Sequence, residues 1–152
     1  MTTKDSSQLV EPILRQIESA HIQTVKIEFP DLFGVARTKG IPARHFPHTV
    51  EHGVQFAFPT FALDLAGNPA PGTGTAEEIG YADMTAIPDL STFTILPWEP
   101  HTAAVISDLY YKGEPIALAP RNILKRIIAE YEKRNLLPIV GSELEFYLLK
   151  RD

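Results

Sequence analysis

The chain has 152 residues, of which 44% are hydrophobic, enough for the core of one ordinary domain and a little more. Its net charge of −5, with no basic run, argues against nucleic acid as a main partner, and the lack of cysteine excludes disulfide frameworks and thiolate chemistry. Neither a signal-peptide core nor an apolar run of bilayer length occurs, so we expect a cytoplasmic protein with no membrane partner.

The first third of the sequence predicts a helix and a β-hairpin. Residues 1–8 are polar and predict a frayed tail. Apolar residues at helical spacing then predict a short amphipathic helix that ends near Ala20, and Pro12 limits how early it starts. Residues 24–29 and 35–41 alternate between apolar and polar positions around a turn-rich segment, which predicts the hairpin.

Residues 42–53 predict one helix or two short turns that stop at Gly53. His45, His48 and His52 could share one face of it, and three imidazoles can ligate zinc. Pro47 disturbs that spacing, and no cysteine or nearby carboxylate pattern completes a site. Ordinary surface histidines are therefore the favoured interpretation.

The middle of the chain predicts further strands around a long loop. Residues 54–63 are rich in aromatic side chains and predict a strand or a buried extended segment. The glycines and prolines of residues 64–80 mark a loop that lacks the Gly-Lys-Ser/Thr of a phosphate-binding loop. An active-site or interface flap and plain flexibility both stay open for it. Strands are predicted from Ser91 to Trp98 and from Thr102 to Tyr111.

Two elements follow the predicted strands. Pro120 opens a helix at its N1 position. Its buried stripe is predicted to consist of Ile123, Leu124, Ile127, Ile128 and Tyr131. Residues 136–149 then predict a strand, because β-branched and aromatic residues dominate and apolar and polar positions alternate after Gly141.

Glu143 and Glu145 lie two positions apart on that predicted strand, so they would share one face, roughly 6.5–7 Å apart. Burying such a charge without a partner is costly, so this face must be exposed to solvent, paired with basic side chains, or bound to a cation. Mg²⁺ often keeps several waters and takes only one or two carboxylates. An acidic solvent face of an edge strand and a metal site are the two open interpretations.

Several short motifs together resemble the glutamine synthetase family. They are residues 29–39, Pro88-Asp89, residues 96–98, Pro120-Arg121 and residues 141–146, and the resemblance runs from about Val25 to Leu148. It implies an α+β fold, with a β-grasp-like N-terminal domain followed by a catalytic domain. The implied boundaries are a tail and short helix over 1–20, the β-grasp-like domain over 21–112, and the first helix and strand of a truncated catalytic domain over 113–152.

The same resemblance implies a function and a site. It implies an ATP-dependent ligase that phosphorylates the γ-carboxylate of glutamate, after which ammonia or an amine displaces phosphate. Glu143 and Glu145 would bind the active-site Mg²⁺ or Mn²⁺. Asp64 would be the catalytic residue that completes the neighbouring subunit's site in a ring-shaped homo-oligomer. Most ATP- and glutamate-binding residues would lie beyond this N-terminal fragment, so we expect the fragment alone to be inactive.

The sequence after Asp64 departs from the family pattern. Asp64 is followed by Leu65-Ala66-Gly67 where typical members have Gly-Ser-Ser, which resembles relatives that join glutamate to polyamines or other amines. Asp64 as a turn-capping carboxylate stays open as an alternative. A family member that lost catalysis and serves as a structural or interaction ring protein is the alternative for the whole protein. The two glutamates favour the ligase, because like charges on one face repel each other and need a functional reason.

Overall fold

The chain is organised around one seven-stranded sheet, and a computed structural model describes residues 3–64 and 66–150, with side chains from residue 9 onward. The helices are α1 (Thr3–Ser19), α2 (Phe46–His52) and α3 (Pro120–Glu132). The strands are β1 (Thr24–Pro30), β2 (Ala36–Pro42), β3 (Val54–Ala57), β4 (Asp83–Pro88), β5 (Thr94–Ile95), β6 (Thr102–Tyr111) and β7 (Glu114–Pro115). Among the described residues, none of the helices is long and apolar enough to cross a membrane.

The sheet is centred on β6, the longest strand. The strand order is β2-β1-β6-β4-β3, and the short strands β5 and β7 also pair with β6. β1 runs parallel to β6 with Thr24 opposite Thr102, whereas the other strand pairs are antiparallel. This mixed sheet with helices confirms the α+β class and agrees with the expected β-grasp-like domain.

The hydrophobic core lies against β1 and β6. In β1, Val25, Ile27 and Phe29 are at most 1% exposed and alternate with half-buried polar residues, as the period of a strand requires. Helices α1 and α2 contribute Ile13, Ile17 and Phe46 to the same cluster. The alternation that predicted the β1–β2 hairpin therefore has a physical basis in burial, and the hairpin is confirmed.

The predictions for the two N-terminal helices had different outcomes. The short turn and helix over 43–52 end at Gly53, as predicted. Helix α1, however, begins at Thr3, so the predicted tail is wrong for residues 3–8, and residues 1–2 lie outside the described part. Pro12 lies inside α1. A proline inside a helix removes one backbone hydrogen bond, and burial of Ile13 and Ile17 after it outweighs that loss.

The strand predicted from Ser91 to Trp98 is mostly wrong. Only β5 forms within it, and Trp98 is 75% exposed. Pro97 cannot donate to a sheet ladder, which limits any strand there. The sequence reasoning also missed β4, in which Met84 and Ala86 are fully buried at alternate positions. The strand from Thr102 to Tyr111 is confirmed as β6.

The C-terminal part departs most from the prediction. Helix α3 begins at Pro120 as predicted, but its predicted stripe is mostly exposed: Leu124 and Ile127 are 57% and 51% exposed, and Ile128 is half-buried. The described residues 136–150 form neither strand nor helix, so the predicted strand is wrong for this structure. A strand needs a neighbour for its backbone groups and an opposing layer for its apolar face, and the described residues supply neither here.

Candidate functional site

Asp64 organises a tight loop after the 3-10 turn Phe58–Phe61. Its Oδ1 accepts hydrogen bonds from the backbone N–H groups of Ala66 and Asn68, both at 2.8 Å. These bonds, that from Asn68 first, hold the pKa of Asp64 below its ordinary value. The carboxylate thus caps a turn and is ionised at neutral pH. Both bonds end on one oxygen and the residue is exposed. The same carboxylate can therefore cap the turn and contact a ligand at the same time.

Hydrogen bonds within the loop also connect its later residues, 70–80, to each other. The Glu78 carboxylate accepts a hydrogen bond from the Gly72 N–H at 2.8 Å, and backbone bonds, first that of its own amide, lower the pKa of Glu78. The hydroxyls of Thr73 and Thr75 lie 2.8 Å apart, and Thr75 is 1% exposed. These contacts favour an ordered loop over plain flexibility.

Glu143 and Glu145 lie in the irregular segment 136–150, and both are exposed. Within the described residues no group of three or more His, Asp or Glu side chains is placed to hold a metal ion, so the structure does not bring these two glutamates into such a group with Asp64. Two accessible carboxylates are nevertheless the kind of donor that Mg²⁺ takes together with waters. Their role as metal ligands stays a prediction.

Two of the three histidines in the α2 region stack on each other. The rings of His48 and His52 stack with their centroids 4.2 Å apart, and His52 Nδ1 lies 3.2 Å from the backbone carbonyl oxygen of His48. His45 ends the preceding 3-10 turn. This arrangement is a surface contact between successive helical turns, as i,i+4 spacing allows.

A buried carboxylate that sequence reasoning did not single out holds the hairpin turn. Asp31 is 1% exposed, and its Oδ1 accepts hydrogen bonds from the N–H groups of Phe33 and Val35 at 2.9 Å. Its Oδ2 accepts from Arg37 Nε and Nη2 at 2.8 Å. Burial raises the pKa of Asp31, but these bonds outweigh it, so the pKa lies below its ordinary value. The turn-forming Asp-x-x-Gly within the family-like motif was the available signal.

A second ion-pair group joins α3 to the sheet. Arg121 Nε donates to Asp108 Oδ1 at 2.7 Å, and its Nη2 donates to Asp89. We call Asp89, Arg121 and Asp108 the Arg121 bridge. Burial raises the pKa of Asp89, but the hydrogen bond from the Ser91 hydroxyl and the charge of Arg121 outweigh it, so the pKa lies below its usual range. Lys125 also contacts Asp108.

A groove of about 360 Å³ lies beside this bridge. Its lining is mostly apolar and comes from the end of the hairpin, from Ile106 on β6, and from Pro120 and Leu124 on α3. None of Asp64, Glu143 and Glu145 lines it. The groove therefore does not belong to the predicted site.

Comparisons with known proteins connect this fold to a family. The chain is 36% identical over 136 residues to a glutamate–isopropylamine ligase from a Pseudomonas species and 35% identical over 146 residues to a glutamine synthetase from Methanosarcina mazei. These matches cover 88% and 93% of this chain. Over the matched residues, the chain belongs to the glutamine synthetase family. The chain spans only 30% of the length of each of these two relatives.

Two further proteins also match most of the chain. Lengsin from Canis lupus familiaris, whose name states no reaction, is 36% identical over 139 residues, covering 86% of this chain and 23% of that protein. The solved structure of GmaS with ADP matches with a TM-score of 0.64 and 30% identity, covering 80% of this chain and 25% of that one. No protein-family model matches the sequence.

Proposed function

We propose that this chain is the N-terminal part of an ATP-dependent ligase that joins glutamate to an amine. The observation that supports this most is the 36% identity to a glutamate–isopropylamine ligase over 88% of the chain. The match covers 30% of that relative, so the proposal assigns most of the nucleotide and glutamate pocket to a part of the whole protein outside these 152 residues. No observation favours the alternative of a family member without catalysis.

Asp64 is proposed to receive the acceptor nitrogen in the site of a neighbouring subunit of a ring-shaped homo-oligomer. A carboxylate kept ionised by backbone hydrogen bonds attracts an ammonium or alkylammonium ion and can accept its proton. The turn fixes one oxygen of this carboxylate, which orients the side chain. Leu65, which lies outside the described residues, and Ala66 replace Gly and Ser of the common pattern. They would give the rim an apolar character suited to an alkyl group.

Glu143 and Glu145 are proposed to hold Mg²⁺ or Mn²⁺ when the segment 136–150 pairs with strands of the remaining protein. A divalent ion there would offset the charge of the ATP phosphates. The contribution of this chain would be to supply two carboxylate oxygens at alternate positions of one strand face. The exposed, irregular state of the segment in the structure is consistent with a strand whose neighbours lie elsewhere.

The test of the ligase is phosphate release by the whole protein with ATP, Mg²⁺ and glutamate, comparing ammonium with a panel of primary amines and polyamines. We expect a higher kcat/KM for at least one amine than for ammonium, and Asp64→Ala should impair both reactions. The exposed Asp83→Ala is the matched control. Preference for ammonium over every amine would contradict the amine specificity, and no release with any acceptor would contradict the ligase.

The metal ligands need a separate test. Glu143→Ala in the whole protein should abolish turnover without lowering the melting temperature, whereas Glu114→Ala, an exposed carboxylate on β7, should change neither. The 152-residue chain alone should release no phosphate. Near-normal turnover by Glu143→Ala at modest Mg²⁺ would remove this residue from the proposed site.

A further inference from the structure

Helix α3 is attached to the sheet by polar contacts. Its buried residue is Asn122, whose side-chain amide donates to the carbonyl oxygens of Leu109 and Ile116 at 3.1 and 2.9 Å. Arg126 donates to the carbonyl oxygen of Ala117 at 3.0 Å. These bonds lie in the first two turns of the helix. Asn122 fixes the start of α3 at one point, which leaves the direction of its axis to other contacts.

Apolar packing between the described residues contributes little to that direction. Most residues of the predicted apolar stripe are exposed, Ile123 by 39%, Leu124 by 57%, Ile127 by 51% and Tyr131 by 41%, and Ile128 is half-buried. A helix normally gains most of its tertiary stability from burying such a stripe. The contacts that orient the helix therefore come mainly from the charged residues at its start.

The Arg121 bridge has the geometry for this role. Asp89 follows β4, Asp108 lies on β6, and the two strands pair with Ile87 opposite Asp108. The side chains of Arg121, Asp89 and Asp108 are 21%, 15% and 17% exposed, so solvent screens these pairs less than surface pairs. A guanidinium presents several donors in a rigid plane, and two carboxylates on neighbouring elements fix the orientation of that plane.

We propose that Arg121 is a positioning residue: by bridging Asp89 and Asp108 it sets the direction in which α3 and the acidic segment after it leave the sheet. The 13 residues of α3 make about 20 Å of helix, so a swing of about 20° at its start moves its end by about 7 Å. The consequence for Glu143 and Glu145 as metal ligands rests on the proposed function. The direction of the helix does not, and it is measured without any turnover.

The experiment measures a distance between two spin labels in the 152-residue chain. The natural sequence has no cysteine, so Arg44→Cys beside β2 and Glu132→Cys at the end of α3 give two defined labelling positions. Pulsed dipolar spectroscopy of this parent should give one narrow distance distribution. Arg121→Gln should broaden it or shift it by about 7 Å, the displacement expected for a swing of about 20° of this helix.

Arg134→Gln is the matched control, because Arg134 pairs with Glu130 of α3 itself and not with the sheet. It should leave the distribution as in the parent. The melting transition of each variant is followed by circular dichroism, so that a loss of fold is separated from a change of direction. A folded Arg121→Gln variant with the parent's narrow distribution would overturn the proposal, as would a broad distribution in the parent.

If Arg121→Gln does not fold, Asp89→Asn decides, since it weakens one side of the bridge and leaves Arg121 paired with Asp108. A broadened distribution in Asp89→Asn supports the bridge, and an unchanged one contradicts it. A role limited to stability would lower the melting temperature and leave the distance distribution of the folded molecules unchanged.

Discussion

Asp31→Ala should destabilise the folded chain by about 2–5 kcal/mol, because it removes a buried carboxylate that accepts hydrogen bonds from the N–H groups of Phe33 and Val35. A hydrogen bond to a charged group contributes about 1.5–3 kcal/mol. Arg37 adds less, because its side chain is 34% exposed and can turn toward water. Against a total stability of about 5–15 kcal/mol, the loss is large enough to measure accurately.

The assay is urea unfolding at neutral pH, followed by circular dichroism. With a slope of about 2 kcal/mol per molar urea, a loss of about 3 kcal/mol lowers the midpoint by about 1.5 M. Asp64→Ala is the matched control, since Asp64 accepts the same pair of bonds from the second and fourth residues after it but is exposed. Its midpoint should stay near that of the parent. The expected difference between the two midpoints comes from the burial of the Asp31 carboxylate. Equal shifts of the midpoint in both variants would therefore refute the reasoning.

Three further predictions concern stability. Ser107→Ala should leave stability unchanged or raise it by up to about 1 kcal/mol in the same assay, because the fully buried Ser107 hydroxyl has no hydrogen-bond partner in the described structure; a loss above that amount would contradict this. Gly53→Ala should lower the urea midpoint clearly more than Gly80→Ala, because an added Cβ at Gly53 meets the Ala86 carbonyl oxygen at 2.9 Å whereas the site at Gly80 is open; equal shifts would refute the steric argument. The pKa of Asp31 is lowered in the folded state, so its stabilisation is complete above the unfolded value of about 3.9 and is lost as pH falls through the folded value. The melting temperature should therefore fall more steeply below about pH 4 for the parent than for Asp31→Asn, and an equal fall in both would contradict this.

The parts of the fold that could be predicted are those whose pattern is satisfied within the chain. Strands β1 and β6 alternate because one face is buried, and α2 ends at Gly53, whose φ of +73° and ψ of −174° suit only glycine. Strand β4 carries an equally readable alternation at Met84 and Ala86. It was missed because residues 81–90, between the predicted loop and the strand predicted from Ser91, were assigned to no element.

The parts that could not be predicted depend on what lies opposite each apolar face. The stripe of α3 and the alternation of residues 136–149 are correct as patterns, but burial and pairing require a neighbour, and the described residues contain none there. The candidate site is limited in the same way. Asp64 was identified by resemblance and its turn-capping bonds agree with the open alternative, whereas no pattern in the sequence predicted which carboxylates Arg121 would bridge.

The parallel pairing of β1 with β6 has a consequence for how the chain folds. Thr24 pairs opposite Thr102, so the partners are 78 positions apart along the sequence. The β1–β2 hairpin can form on the microsecond timescale of local hairpins, but the parallel contact must first close a long loop. Until β6 arrives, Val25, Ile27 and Phe29 lack the strand that completes their burial. During synthesis we therefore expect this hairpin to stay exposed to chaperones until about residue 106 has left the ribosome, and folding to be limited by that closure.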